Sequence, residues 1–169
     1  ASFVFNIPLY RDLALAGGVC DASRYSARAL LEKGSSLMLV PGGATEALYA
    51  FPGKNILVLK KRRGFIRLAM QTGAHVVPVY SFGENHMFDQ LAVNNKFVQM
   101  LKERFQKIFG ISLPLLKNII PRKCDITVVV GEPLAVPHVE NPTKEQVQAS
   151  LDEFCERITE LFNAHKDKY

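Results

Sequence analysis

Short apolar runs that alternate with helical segments constrain this 169-residue chain more than any other feature. The runs lie at residues 36–40, 56–59, 76–80 and 126–130. Apolar runs of this length, without regular polar alternation, are typical of strands buried on both faces. Such strands separated by helices favour a parallel arrangement. We therefore predict an α/β fold with a mainly parallel sheet flanked by helices.

Helical periodicity, with apolar residues on one face, recurs in residues 23–33, 65–72, 89–109 and 143–161. Ser23 is placed to cap the first of these helices, and Gly34 and Gly73 stand where the first two should end. The last helix is the clearest, because Thr143 and Gln146 have the spacing of a capping box. With neither repeats nor an internal boundary, we predict a single domain over residues 1–169.

The chain carries 21 basic and 16 acidic residues, for a formal charge of +5, which favours an anionic partner such as phosphate, nucleic acid or a membrane surface. Nucleic acid is the weakest of these, because few aromatics interleave with the basic residues and no basic recognition helix stands out. The odd number of cysteines, without metal-ligand spacing, favours a reduced, intracellular setting.

The chain begins at an alanine, in an already apolar stretch, and contains neither a signal peptide nor an apolar run of membrane-spanning length. We therefore expect a fragment whose anchor or first catalytic elements lie upstream. A broken apolar segment at residues 111–123, flanked by basic residues, either dips into lipid headgroups or packs on its own domain.

A glycine turn, Pro41-Gly42-Gly43, follows the first apolar run and is succeeded by an acid, Glu46. Consecutive glycines after a strand can converge backbone N–H groups on an anion, although such a pair is also a common plain turn. The Walker and dinucleotide-binding patterns are both absent. Glu46 could stabilise a helix N-terminus or orient a hydroxyl or a histidine.

A basic cluster at residues 60–63, with Arg67 one turn further on, could bind a cofactor with several phosphates, because arginine grips phosphate oxygens bidentately. A solvated surface is the alternative. The four histidines lack metal-binding spacing, so we predict no metal site, and no Gly-x-Ser-x-Gly elbow is present. The residues alone therefore predict an α/β domain. One interpretation of its glycine turn and basic cluster is a phosphate-binding site.

Several blocks together resemble the type 2 diacylglycerol acyltransferase family, and the resemblance covers essentially the whole chain. The blocks are VPGGATE at 40–46, FPGKN at 51–55, RRGFIRLA at 62–69 and GAHVVPVYSFGE at 73–84. The resemblance implies a glycerolipid acyltransferase-like α/β fold. It also implies transfer of a fatty acyl group from acyl-CoA, as co-substrate without a further cofactor, to diacylglycerol. The product would be triacylglycerol, at the endoplasmic reticulum membrane and lipid droplets.

Family members also use monoacylglycerol or long-chain (wax) alcohols, and the blocks do not separate these acceptors. A non-catalytic lipid-surface module is the other alternative. The family's His-Pro-His-Gly motif is absent here, as is the wider superfamily's histidine with an aspartate five residues later. The resemblance therefore predicts a C-terminal portion, incomplete at its N-terminus and inactive alone.

The resemblance also implies roles for individual residues. Gly42 and Gly43 would bind the acyl group or its oxyanion, and Pro41 would line the same substrate site. The wider superfamily has Pro-Glu-Gly in this block, and its glutamate contacts the acceptor. In this chain Gly42 stands at the position of that glutamate. Glu46 would instead orient the base or the acceptor hydroxyl. The predicted substrate-binding arginines are Arg24, matching an acceptor-phosphate contact of the superfamily, and Arg62, Arg63 and Arg67, for the CoA phosphates.

Overall fold

The structure is a computed structural model that describes residues 7, 9–43, 46, 55–88, 100, 104 and 120–169. Its helices are α1 (Tyr10–Ala16), α2 (Arg24–Glu32), α3 (Gly64–Thr72) and α4 (Lys144–His165). Its strands are β1 (Val79–Phe82) and β2 (Thr127–Val130), and a 3₁₀ turn, Glu84–His86, follows β1. No helix within these ranges is both long and apolar enough to cross a bilayer.

The prediction of a mainly parallel sheet is wrong for the described residues. Among the described residues, β1 and β2 form a two-stranded antiparallel ribbon, with Val79 opposite Val130 and Phe82 opposite Thr127. The apolar runs at 36–40 and 56–59 are not strands. Much of the first run is exposed, with Met38 at 87% and Val40 at 71%. An apolar run becomes a strand only when a neighbour completes its hydrogen bonds, and apolar content does not specify that neighbour.

Proline explains why the predicted strand at 76–80 begins later. Pro78 cannot donate to a ladder, so Val76 forms only an isolated bridge with Leu134 before β1 starts at Val79. The Pro78 carbonyl accepts a bond from the N–H of Gly131 at 2.9 Å, which joins the two segments across the interruption. The predicted strand at 126–130 is confirmed to within one residue as β2.

The capped helices are confirmed. In α2 the Ser23 side chain accepts the N–H of Ser26 at 3.2 Å, and α3 ends at Gly73, whose φ of 70° is left-handed. Thr143 and Gln146 form the predicted capping box of α4. Of the predicted helix at 89–109 only residues 100 and 104 are described, and of the segment at 111–123 only residues 120–123, so the remainder of both lies outside the described residues. Helix α1 was not predicted, and none of its residues is buried.

The core forms where α4 packs against α3 and β1. Its buried members are Leu59, Ile66, Met70, Leu134, Val147, Leu151, Phe154 and Ile158. The ring of Phe65 meets that of Phe154 edge-on, with centroids 5.2 Å apart. On the strand side, Phe82 stacks on Phe162 at 5.7 Å and 11° between planes. The predicted apolar face of the last helix is therefore the face that carries the core.

We expect Leu151→Ala to lower the free energy of unfolding by about 2–5 kcal/mol, because the side chain is fully buried and its loss leaves a cavity. Chemical denaturation of the purified protein measures the change. Glu160→Ala, at an exposed position on α4, is the matched control and should change stability by less than about 0.5 kcal/mol. Equal effects of the two variants would contradict this assignment of the core.

Candidate functional site

The predicted glycine turn is held by an arginine. Gly42 is buried, and its carbonyl oxygen accepts a hydrogen bond from a terminal nitrogen (Nη2) of Arg62 at 3.2 Å. Gly43 is exposed and has φ of 53°, a left-handed conformation that glycine adopts without the Cβ penalty. Arg62 lies just before α3, so this contact fixes the turn to the start of that helix.

The carboxylate of Glu46 fixes the turn from another direction. Its Oε1 accepts the backbone N–H of Val58 at 2.7 Å. The same carboxylate lies so close over Gly42 that a Cβ on that residue would fall on it. Glycine is therefore the only residue that leaves room for Glu46 in this arrangement, and Glu46 joins the turn to the segment that leads into the core residue Leu59.

A tyrosine on β1 lies within the electrostatic influence of this carboxylate. Burial raises the pKa of the Tyr80 hydroxyl, and the negative charges of Glu46 and Glu84 raise it further. The hydroxyl donates to Oδ1 of Asn55 at 3.0 Å, which ties β1 to the segment beginning at residue 55. Tyr80 therefore remains protonated at neutral pH and serves as a hydrogen-bond donor.

The other predicted arginines occupy different surroundings. Nε of Arg63 donates to Oε1 of Gln148 on α4 at 2.7 Å, and Arg67 lies half-buried on α3. Arg24 is exposed at the first residue of α2, a helix that packs against α3. Pro41 is half-buried beside the turn. The structure thus brings Gly42, Glu46 and Arg62 into one constellation and leaves Arg24 on a separate helix.

Two concavities flank the described elements. One, of about 200 Å³, is lined by the aromatic rings of Phe82, Phe162 and Tyr169 together with Asn55 and Lys166, among others. The other, about 570 Å³ and more open, lies between α2, α3 and residues 138–140. The first is smaller than the roughly 300–1,000 Å³ of typical ligand pockets. It would therefore not enclose a whole acyl-CoA or diacylglycerol molecule.

Four residues with long-range contacts had no predicted role: Val58, Asn55, Tyr80 and Gln148. Their contacts join residues 12, 25 and 85 positions apart in the chain, so no local pattern reveals them. The sequence signal was indirect: Asn55 and Tyr80 fall inside the blocks that carry the family resemblance. Among the described residues, no three potential metal ligands are grouped around one point.

Comparison with known proteins identifies the family. The sequence model described as Diacylglycerol acyltransferase matches residues 2–169. Diacylglycerol O-acyltransferase 2B of Umbelopsis ramanniana is 39% identical over 98% of this chain and 52% of its own length. The human diacylglycerol O-acyltransferase 2 is 34% identical over 98% of this chain and 46% of its own length. The bovine 2-acylglycerol O-acyltransferase 1 is 36% identical over 98% of this chain and 53% of its own length.

These matches assign the chain to an acyltransferase class and, within it, to one family. The chain belongs to the diacylglycerol acyltransferase family, as the resemblance predicted. It spans about half the length of the relatives it matches. No solved structure matches it.

We predict that Gly42→Ala destabilises the protein by about 1–3 kcal/mol, because the new methyl group collides with the Glu46 carboxylate. In a Glu46→Ala background that collision disappears, so the same change should cost about 1 kcal/mol less. A double-mutant cycle in denaturant measures this coupling.

Gly64→Ala is the control for the cycle, because a Cβ at Gly64 meets no atom within 4 Å. Its effect should be near zero or slightly stabilising, and independent of position 46. Additive effects of Gly42→Ala and Glu46→Ala would contradict the contact between the two residues.

Proposed function

We propose that the full-length protein transfers a fatty acyl group from acyl-CoA to diacylglycerol and so makes triacylglycerol. The observation that carries the proposal is the family match over residues 2–169, together with relatives named diacylglycerol O-acyltransferase 2 that align with nearly the whole chain. A relative named 2-acylglycerol O-acyltransferase 1 also aligns, which makes monoacylglycerol the competing acceptor. A long-chain alcohol is a further alternative.

The chemistry requires a base, an oxyanion site and a way to hold CoA. The acceptor hydroxyl oxygen attacks the thioester carbon and its proton passes to the base. The tetrahedral intermediate then collapses by breaking the carbon–sulfur bond, and the protonated base returns the proton to the CoA sulfur, so that the ester and free CoA thiol are formed. We assign the oxyanion or acyl contact to the turn at Gly42 and Gly43, beside Pro41. We place the base outside residues 1–169, in the family's His-Pro-His-Gly motif, so this chain alone should be inactive.

Glu46 fits the role of a positioning residue for that turn. Its carboxylate accepts the Val58 N–H and lies against Gly42, so its removal would release both attachments. Rate enhancement from an oxyanion site depends on preorganised donors, which makes a loosened turn costly. A direct contact between Glu46 and the base or the acceptor hydroxyl, the two roles predicted from the resemblance, remains the alternative.

Two substitutions at position 46 separate these roles. We expect Glu46→Ala to lower acyl transfer to diacylglycerol by about tenfold or more, because the turn is no longer held. Glu46→Gln should lose much less, because its amide oxygen can still accept the Val58 N–H. The measurement is transfer of a labelled acyl chain in microsomes that contain the full-length protein, at matched protein levels.

If Glu46→Gln loses as much activity as Glu46→Ala, the charge itself acts and the direct role is correct. If neither variant loses activity, Glu46 is not part of the site. If the unaltered full-length protein transfers no acyl group to any of the three acceptors, the proposed function itself is wrong.

The arginines are our candidates for the CoA phosphates. Arg63 and Arg67 fall on the first turn and a half around the start of α3, and Arg62 supports the glycine turn next to them. Guanidinium groups at one helix end can share a polyphosphate, because each forms charge-assisted bonds to phosphate oxygens. Arg24, at the start of α2, remains a weaker candidate for contact with the acceptor.

We predict that Arg63→Ala raises the Michaelis constant for acyl-CoA by about fivefold or more, with little effect on that for diacylglycerol. Gln148→Ala is the matched control, because it removes the observed partner of Arg63 and keeps the charge. A comparable rise in the control would show that Arg63 acts by tethering α4. A change confined to the diacylglycerol constant would contradict the phosphate assignment.

We also propose that the protein works at the endoplasmic reticulum membrane or the lipid droplet surface. The proposed acceptor and product are lipids, so the site must open toward a lipid phase. Support comes from the exposed apolar side chains Leu9 and Leu13 around α1, and from the net positive charge. Together they provide both an apolar and an electrostatic attraction to a lipid surface with anionic headgroups.

A further inference from the structure

Two side chains from elsewhere in the chain are bonded to the segment at residues 55–59. The carboxylate of Glu46 accepts the backbone N–H of Val58 at 2.7 Å. Earlier in the segment, Oδ1 of Asn55 accepts a hydrogen bond from the hydroxyl of Tyr80 at 3.0 Å. Leu59, which follows Val58, is buried in the core. The position of the Val58 N–H, and of the carboxylate bound to it, therefore depends on how the segment is held at both ends.

The direction of the Val58 N–H is set by the chain that precedes it. That N–H belongs to the planar peptide unit that Val58 shares with Leu57, so the burial of Leu59 alone does not fix it. The preceding side of the segment is held by the bond between Tyr80 and Asn55. Even in a fully extended chain Asn55 and Val58 are only about 10 Å apart, so a displacement of the first moves the second.

Tyr80 is itself fixed by contacts outside this segment. On β1 it pairs with Val129 of β2, and the centroid of its ring lies 4.7 Å from that of Phe82 and 5.1 Å from that of Phe162. Burial raises the pKa of its hydroxyl, so the hydroxyl remains a donor at neutral pH. Asn55 is exposed, so water competes for the bond and the effect of the bond on a rate should be moderate.

We propose that Tyr80 is a positioning residue for acyl transfer. Through Asn55 it holds residues 55–58 so that the Val58 N–H meets the Glu46 carboxylate, and that carboxylate in turn holds the glycine turn. An oxyanion site requires such a supporting layer, because its effect depends on donors that are already in place. The proposal rests on the function proposed for the glycine turn, and it extends that site to β1.

The test is a double-mutant cycle in acyl transfer, measured in microsomes that contain the full-length protein at matched protein levels. Tyr80→Phe keeps the ring and removes the hydroxyl, so kcat should fall by about threefold while the Michaelis constant for acyl-CoA changes by less than about 1.5-fold. In a Glu46→Ala background the same change should lower kcat by less than about 1.5-fold, because the carboxylate that Tyr80 positions is gone. Tyr169→Phe is the control, since its ring also contacts Phe82, and it should leave kcat unchanged.

Equal losses from Tyr80→Phe in the two backgrounds would overturn the proposal, because a bond that only stabilises the fold acts independently of Glu46. The absence of any loss, or an equal loss in Tyr169→Phe, would overturn it as well. Inactivity of the unaltered protein toward every acceptor would instead show that the proposed function is wrong.

Hydrogen exchange of the full-length protein tests the same connection without an activity measurement. The backbone amides of residues 56–59 should exchange about threefold faster or more in Tyr80→Phe than in the unaltered protein, because the segment opens more often. Glu46→Ala should accelerate the same amides, and Tyr169→Phe should not, as mass spectrometry of the peptides would show. Unchanged exchange in Tyr80→Phe would mean that Tyr80 does not hold the segment, and the proposal would be wrong whatever the activity.

Discussion

The burial of one face of α4 is the interaction on which the remaining described structure depends. Val147, Leu151, Phe154 and Ile158 supply half of the buried cluster found among the described residues. They share it with Ile66 and Met70 of α3, and Phe162, further along α4, contacts Tyr80 and Phe82 of β1. The N-terminus of α4 is stabilised, because its capping box satisfies backbone N–H groups that would otherwise lack partners. Without that face, α3 and the ribbon would have little apolar surface in common.

The sequence predicts the elements that depend on interactions between nearby residues, and it does not predict those that depend on residues far apart in the chain. The helices α2, α3 and α4 were predicted because periodicity, caps and terminal glycines act within a few residues. The prediction of a mainly parallel sheet was wrong, because strand pairing is set by residues that are distant in the sequence. The run at 56–59, for example, contributes Leu59 to the core without becoming a strand. Helix α1 has neither a buried face nor a side-chain cap, which are the two signals that prediction uses.

The same division applies to the candidate site. Gly42, Glu46 and Arg62 could be named because they fall in blocks that resemble a family. How they meet could not be derived, since Arg62 reaches Gly42 across 20 positions and Glu46 reaches Val58 across 12. The result is a turn held on two sides by charged side chains, one of each sign. Its conformation therefore depends on both of these side chains as well as on the glycines.

The contact between Glu46 and Gly42 has a consequence for how related sequences can vary. The carboxylate of Glu46 fills the space into which any side chain at position 42 would first extend. The wider superfamily has an acid at position 42, in its Pro-Glu-Gly block. That side chain and Glu46, placed as it is here, would occupy the same space, so a protein can have only one of the two arrangements. An evolutionary change from one arrangement to the other must therefore alter positions 42 and 46 together. Otherwise it passes through a protein in which the two side chains collide or the space between them is left empty.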